Sequence, residues 1–101
     1  MYVYVWEYLV RPEATEQFRE KYGANGAWVA LFQRASGYLR TELYCDLDDP
    51  YRYVTVDTWE SRQAYDRFRQ TFATEFTELD ALCEGLTLRE SRFGRFSVEQ
   101  S

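Results

Sequence analysis

The chain has 101 residues, 46% hydrophobic and 29% charged, which describes one globular domain with no room for a second core. Twelve basic against 17 acidic residues give a formal net charge of −5, which argues against nucleic acid or an anionic membrane surface as partner, since both need clustered positive charge. There is no His, which removes Ser-His-Asp and Cys-His catalysis, His-ligated zinc and haem on a proximal His.

Tyr2 to Val10 alternates strictly, with Tyr2, Tyr4, Trp6 and Tyr8 on one face and Val3, Val5 and Leu9 on the other, so a first strand with two apolar faces is expected. The aromatic stripe suits the core, a dimer interface or the lining of a ligand cavity. Pro12 and Glu13 suit a helix start, and Ala14 to Tyr22 reads as helix with Phe18 and Tyr22 on one face. Gly23 ends it, and a second short helix follows over Ala27 to Ala35, carrying Trp28, Leu31, Phe32 and Ala35 as one stripe up to Gly37. Tyr38 to Leu47 reads as the second strand, with Leu39, Thr41, Leu43, Cys45 and Leu47 sharing a face. Asp48-Asp49-Pro50 is a turn by composition, too short for a crossover, so the third strand, Tyr51 to Trp59, pairs with the second as an antiparallel hairpin. Its alternation sets Tyr51, Tyr53, Thr55, Asp57 and Trp59 on one face.

Ser61 suits an N-cap, and Tyr65, Phe68, Phe72, Phe76, Leu79 and Leu82 form a helical stripe in steps of three and four. Thr71, Thr74 and Thr77 weaken that helix, so a break is expected among them. Gly85 ends the segment, Leu86 to Phe93 is the fourth strand, and residues 95–101 read as a polar tail on a single domain spanning 1–94. The order β-α-α-β-β-α-α-β predicts an α+β, ferredoxin-like split βαβ fold, with a four-stranded antiparallel sheet and helices on one face only. The other sheet face is also apolar. In so short a chain only a second copy can cover it, so a homodimer built sheet to sheet is expected. Cys45 and Cys83 read as buried, unpaired thiols. With no apolar run near the ~20 residues of a membrane span and no secretory leader pattern at Met1 to Glu7, a cytoplasmic protein is expected.

This order, with Arg52 to Trp59 running into Glu60-Ser61 and with Tyr65 and Phe68 on the following helix, resembles the antibiotic biosynthesis monooxygenase family of dimeric α/β-barrel proteins. Tyr22-Gly23, Trp28, Leu31-Phe32 and Gly37-Tyr38-Leu39 resemble the first half of a bacterial branch of it. The resemblance implies a cofactor-free oxygenase that uses an Asn, a Trp four residues on and a Tyr six after that. Trp59 and Tyr65 keep the spacing, and Thr55 stands at the Asn position. The haem-degrading branch of the family is less similar, because its axial His has no counterpart here.

From these residues come the site expectations. Tyr65, Thr55 and Asp57 are the catalytic candidates, the first two as hydrogen-bonding groups and Asp57 as a base if burial raises its pKa. Trp59, Tyr53, Phe68, Phe72, Trp28 and Phe32 are the substrate-binding candidates, forming apolar walls with a few polar groups. Plain core packing accounts equally for Trp59, and a core ring with its hydroxyl at the edge accounts for Tyr65. Asp80 and Glu84, four apart, lack a third ligand and make a poor metal site, so no metal and no cofactor are expected. The expected function is oxidation by O2 of an aromatic or polyketide-like small molecule. A non-catalytic small-molecule-binding module and a cofactor-free isomerase or cyclase are the alternatives on the same scaffold.

Overall fold

A computed structural model describes residues 1–99. It contains strands β1 (Tyr2–Val10), β2 (Tyr38–Cys45), β3 (Arg52–Trp59) and β4 (Thr87–Ser97), and helices α1 (Thr15–Tyr22), α2 (Ala27–Phe32), α3 (Arg62–Thr71) and α4 (Ala73–Cys83). Single 3₁₀ turns at Pro12–Ala14 and Glu84–Leu86 lead into α1 and out of α4. The sheet order is β2-β3-β1-β4, antiparallel throughout, which is the expected split βαβ arrangement.

The central pair fixes everything above it. β1 and β3 pair in the register Tyr2↔Trp59, Tyr4↔Asp57, Trp6↔Thr55 and Tyr8↔Tyr53. Directly paired residues point to the same side, so both expected stripes face the helices together. Tyr2, Tyr8, Tyr53 and Trp59 are buried there with Phe18, Phe32 and Phe68 as one cluster. Ser61 caps α3, its hydroxyl accepting from the Ala64 N–H at 3.0 Å. The long helix breaks where the threonines weaken it: Phe72, at φ −110° and ψ 30°, separates α3 from α4. Gly37 has φ +92°, and an added Cβ would lie 2.6 Å from the Cβ of Ala64, so only glycine allows β2 to start beneath α3.

Four local expectations need correction. β2 carries a register shift between Tyr38 and Arg40, which opposes two of its residues to one on β3, so Leu39 does not share the face of Thr41, and it is exposed. The helix after Gly26 ends at Phe32 rather than Ala35, where the chain turns to reach β2. Cys45 is exposed, because it lies at the end of an edge strand beyond the reach of the helix layer, whereas Cys83 is buried; both thiols are free. β4 does not loosen at Gly94 but continues to Ser97, paired with β1 as far as Tyr2. Gly94 allows this, because the Phe96 ring folds back to within 2.7 Å of where a Cβ would stand. Residues 100–101 of the expected tail lie outside the described residues.

The sheet face away from the helices carries Val3, Val5, Leu9, Val54 and Val56, none of them fully covered, and Tyr44 and Phe96 are exposed beside them. Arg52 crosses this face to Glu7 and, at 2.8 Å, to Asp46.

Trp59 is wholly buried, touching Phe32, Tyr38, Tyr65 and Phe68 at ring-centroid distances of 5.1–5.6 Å. Trp59→Ala is expected to destabilise the fold by ~3–5 kcal/mol in urea unfolding, as a large-to-small core change.

Candidate functional site

A cavity of about 430 Å³ opens between the sheet and the helix layer. That volume falls in the range of small-molecule sites. Its floor is the helix-facing side of the sheet: Tyr4, Trp6 and Tyr8 from β1, Thr55 and Asp57 from β3, and Thr41 from β2. Its roof comes from Tyr22 of α1, Trp28 and Phe32 of α2, Tyr65 and Arg69 of α3, and Phe76 of α4. Asp80 and Glu90 complete the lining. The helix spacing is the local reason for this roof. Tyr65 and Arg69, and then Phe76 and Asp80, are each four apart, so each pair overhangs the sheet from one face of its helix.

Five of the residues singled out from sequence, Tyr65, Thr55, Asp57, Trp28 and Phe32, line the cavity. Trp59, Tyr53 and Phe68 lie behind its wall as fully buried core. Trp59 therefore buttresses Tyr65, at 5.4 Å and a near-perpendicular ring angle, rather than presenting its own face to the cavity. Phe72 and Phe68 border a separate shallow depression of about 280 Å³ beside Arg34 and Arg67. The sequence leaves the Tyr4–Trp6–Tyr8 stripe open between core, dimer interface and cavity, and marks neither Thr41 nor Arg69 as a site residue. The parity of the stripe was visible, but which face the helices cover is decided by the fold. Arg69 falls one turn after Tyr65, and that spacing was the available signal.

The polar groups are not free-floating. Thr41 donates its hydroxyl to Asp57 Oδ1 at 2.6 Å, and Tyr38 donates to Thr41 at 2.8 Å, so one carboxylate oxygen is fixed by a two-bond chain. Asp57 is half-buried and lines the cavity. That desolvation pushes its pKa up to about 6, against the opposing pull of the Thr41 hydrogen bond. The Thr55 hydroxyl is bonded to Tyr8 Oη at 3.1 Å, and burial raises the Tyr8 phenol well above its ordinary value. Tyr65 is also raised by burial, while Arg69, donating to its hydroxyl at 3.2 Å, pulls the other way. Glu90 is raised by burial and then by the charges of Asp80 and Glu84. The indole N–H of Trp59 is buried without an acceptor among the described residues, and such an orphan costs about 1–3 kcal/mol, whereas that of Trp28 faces the Tyr22 hydroxyl and the Cys83 thiol. Among the described residues no group of three or more His, Cys, Asp or Glu is placed to hold a metal ion, and no helix is long and apolar enough to cross a membrane.

Comparison with known proteins gives three results. The family profile described as antibiotic biosynthesis monooxygenase matches residues 1–79. Among solved structures, the chain is similar to SnoaB, a cofactor-independent oxygenase from Streptomyces nogalater. The two are 21% identical, with 99% of this chain and 94% of that one covered, at a TM-score of 0.80, or 0.82 for a variant form. It is similar as well to Rv0793 of Mycobacterium tuberculosis, at 18% identity, 99% and 96% coverage and a TM-score of 0.76. PA3566 of Pseudomonas aeruginosa follows at 17% identity, 98% and 94% coverage and a TM-score of 0.74. At these identities the likeness shows a shared fold. No curated protein matches the sequence significantly.

Asp57 yields a signed prediction. Its folded-state value near 6 lies above the ordinary 3.8, so the folded state holds the proton longer than the unfolded chain. Its contribution to stability is therefore full below about pH 4 and is lost as pH rises through about 6. Asp57→Asn carries no such charge. Its urea midpoint should rise relative to the unmodified chain across this window, with the advantage fully developed at neutral pH and absent in more acidic solution.

Proposed function

The chain belongs to the antibiotic biosynthesis monooxygenase family, and on that premise we propose that it oxidises an electron-rich aromatic or polyketide-like small molecule with O2 and without metal or flavin. The observation that carries this reading is the convergence of a carboxyl group poised near neutral pH with two hydroxyls on one aromatic-walled cavity. A base whose pKa lies near the working pH is matched to proton abstraction.

In this mechanism Asp57, through the oxygen not held by Thr41, takes a proton from an acidic C–H or O–H of the substrate. The bonding pair stays on the ring as a carbanion or phenolate. Tyr65 and Thr55 hydrogen-bond the developing negative charge, and the aromatic walls exclude water so that these bonds keep their strength. The anion supplies the electrons that reduce O2. O2 bonds to the ring carbon as a peroxide that takes back the proton parked on Asp57; the same carbon then loses its second hydrogen as a proton, its C–H pair forms the carbonyl, the O–O bond breaks, and the outer oxygen leaves with both protons as water. Overall, a methylene and a molecule of O2 become a carbonyl and a water.

One observation favours the non-catalytic alternative. The Thr55 hydroxyl, at the position where oxygenases of this kind carry an amide, is already engaged by Tyr8. Oxygen uptake decides between them. With a quinol-type substrate, the protein should consume O2 on an oxygen electrode, and Tyr65→Phe should lower turnover at least about tenfold while leaving the far-ultraviolet spectrum unchanged. Ligand binding with neither O2 uptake nor product would establish a binding module instead, and product without O2 uptake an isomerase or cyclase.

The partly covered apolar face of the sheet supports a homodimer with that face inside, leaving the two cavities on the outside of the pair. Light scattering on a size-exclusion column should give about twice the 12.1 kDa of one chain. A species of chain mass at micromolar concentration overturns the dimer.

A further inference from the structure

Arg69 takes no part in the mechanism above, yet it is held more firmly than a rim arginine needs to be. Its guanidinium carbon lies 3.8 Å from the centre of the Phe76 ring, and its Nη1 donates to Tyr65 Oη at 3.2 Å. Among the described residues no carboxylate comes within ion-pairing distance of it, although Asp57, Asp80 and Glu90 share the same cavity. Arg69 is exposed at the cavity rim, and four of its five guanidinium N–H donors are left without a side-chain acceptor while Tyr65 and Phe76 orient the group. Preorganised donors of this kind suit an anionic oxygen.

The charges of the cavity are also separated. Tyr65 packs on Tyr2 and Tyr4, at 5.6 and 5.4 Å, which places Arg69 toward the start of β1. Glu90 pairs with Tyr8, toward the end of β1, and Asp80 stands close enough to Glu90 to raise its pKa. From Tyr4 to Tyr8 the strand runs ~13 Å at ~3.3 Å per residue. One end is therefore cationic and the other doubly acidic. Asp57, opposite Tyr4, is the one acidic group near the cationic end, and one of its carboxylate oxygens is engaged by Thr41.

We propose that Arg69, steadied by Tyr65 and Phe76, is the anion-recognition group of this cavity, so that the site selects aromatic ligands bearing an acidic oxygen at one end and fixes their direction by repulsion from Asp80 and Glu90 at the other. The proposal rests on the reading of the cavity as a small-molecule site but not on the oxidation. It deepens that reading by naming the class: a planar aromatic with one carboxylate or phenolate. A ligand with an anion at both ends is disfavoured, which is specificity by repulsion rather than by contact.

The test is isothermal titration calorimetry with naphthoate and its neutral isostere naphthamide, on the unmodified chain, Arg69→Gln and Arg69→Lys. Naphthoate should bind the unmodified chain at least about tenfold more tightly than naphthamide, as charge-assisted hydrogen bonds would give. Arg69→Gln should abolish that preference while leaving naphthamide affinity unchanged, and Arg69→Lys should keep part of it. Naphthalene dicarboxylate should bind more weakly than naphthoate and recover in Glu90→Gln. Equal losses for both ligands in Arg69→Gln would mean that Arg69 only packs on Phe76, which overturns the proposal, as does an unchanged preference. Equal affinity of the two ligands for the unmodified chain overturns the proposal and leaves the small-molecule site standing. If neither ligand binds at millimolar concentration, the small-molecule reading falls and the proposal with it. Thermal melts of both Arg69 variants, expected to match the unmodified chain, separate lost binding from lost folding.

Discussion

The register in which β1 meets β3 is the constraint on which the rest of the structure depends. With Tyr2 opposite Trp59 and Tyr8 opposite Tyr53, two aromatic stripes become one surface, and Thr55 and Asp57 are carried into it between them. A slip by one residue would turn Val54, Val56 and Thr58 toward the helices and send Thr55, Asp57 and Trp59 to the opposite side. That would remove the polar groups of the cavity and the centre of the core in one step. The burial of Tyr53 and Trp59, with 2% and 0% of their surface exposed, holds the register against such a slip.

Large flat side chains also explain why the same layer is both well packed and hollow. At the Trp59 end, rings from α2 and β2 meet Trp59 edge to face, Phe68 of α3 packs on it at a tilt, and together they fill the space. Toward Tyr4, Trp6 and Tyr8 the roof is formed by helices whose direction changes at Phe72, and the rings there line a volume that they do not fill. Aromatic rings have few rotatable bonds, so they cannot collapse into such a gap as Leu or Met would. The break between α3 and α4 thus does more than accommodate weak helix formers. It sets Tyr65 and Arg69 on one wall and Phe76 and Asp80 on another.

The site is costly to the fold. A half-buried carboxylate and a tyrosine–threonine pair face a space where Val or Leu would pack more stably. Each group is nevertheless held in place. The chain from Tyr38 through Thr41 fixes Asp57, Tyr8 fixes Thr55, and the Phe76 ring fixes Arg69. Polar groups that are preorganised but incompletely satisfied by protein are the condition for binding a ligand through them.

The sequence by itself determined the elements and their parity. Strict alternation in Tyr2 to Val10 and Arg52 to Trp59, the Ser61 cap, the threonine-weakened helix and the short Asp48-Asp49-Pro50 turn are local signals. Each depends on backbone periodicity within a few residues, and each appears in the fold. Local signals cannot show departures from ideal pairing. The shift at Tyr38–Arg40, which expels Leu39, and the continuation of β4 past Gly94 arise from how one strand accommodates its neighbour. Nor can they separate wall from core. Thr55, Asp57 and Trp59 share a face, but only the docking of α3 and α4 leaves Thr55 and Asp57 on a cavity and seals Trp59 behind it. The spacing from Tyr65 puts Arg69 on the same helix face, but an arginine on a helix surface acquires meaning only when tertiary packing sets Phe76 beneath it and leaves the carboxylates of the described residues beyond ion-pairing distance.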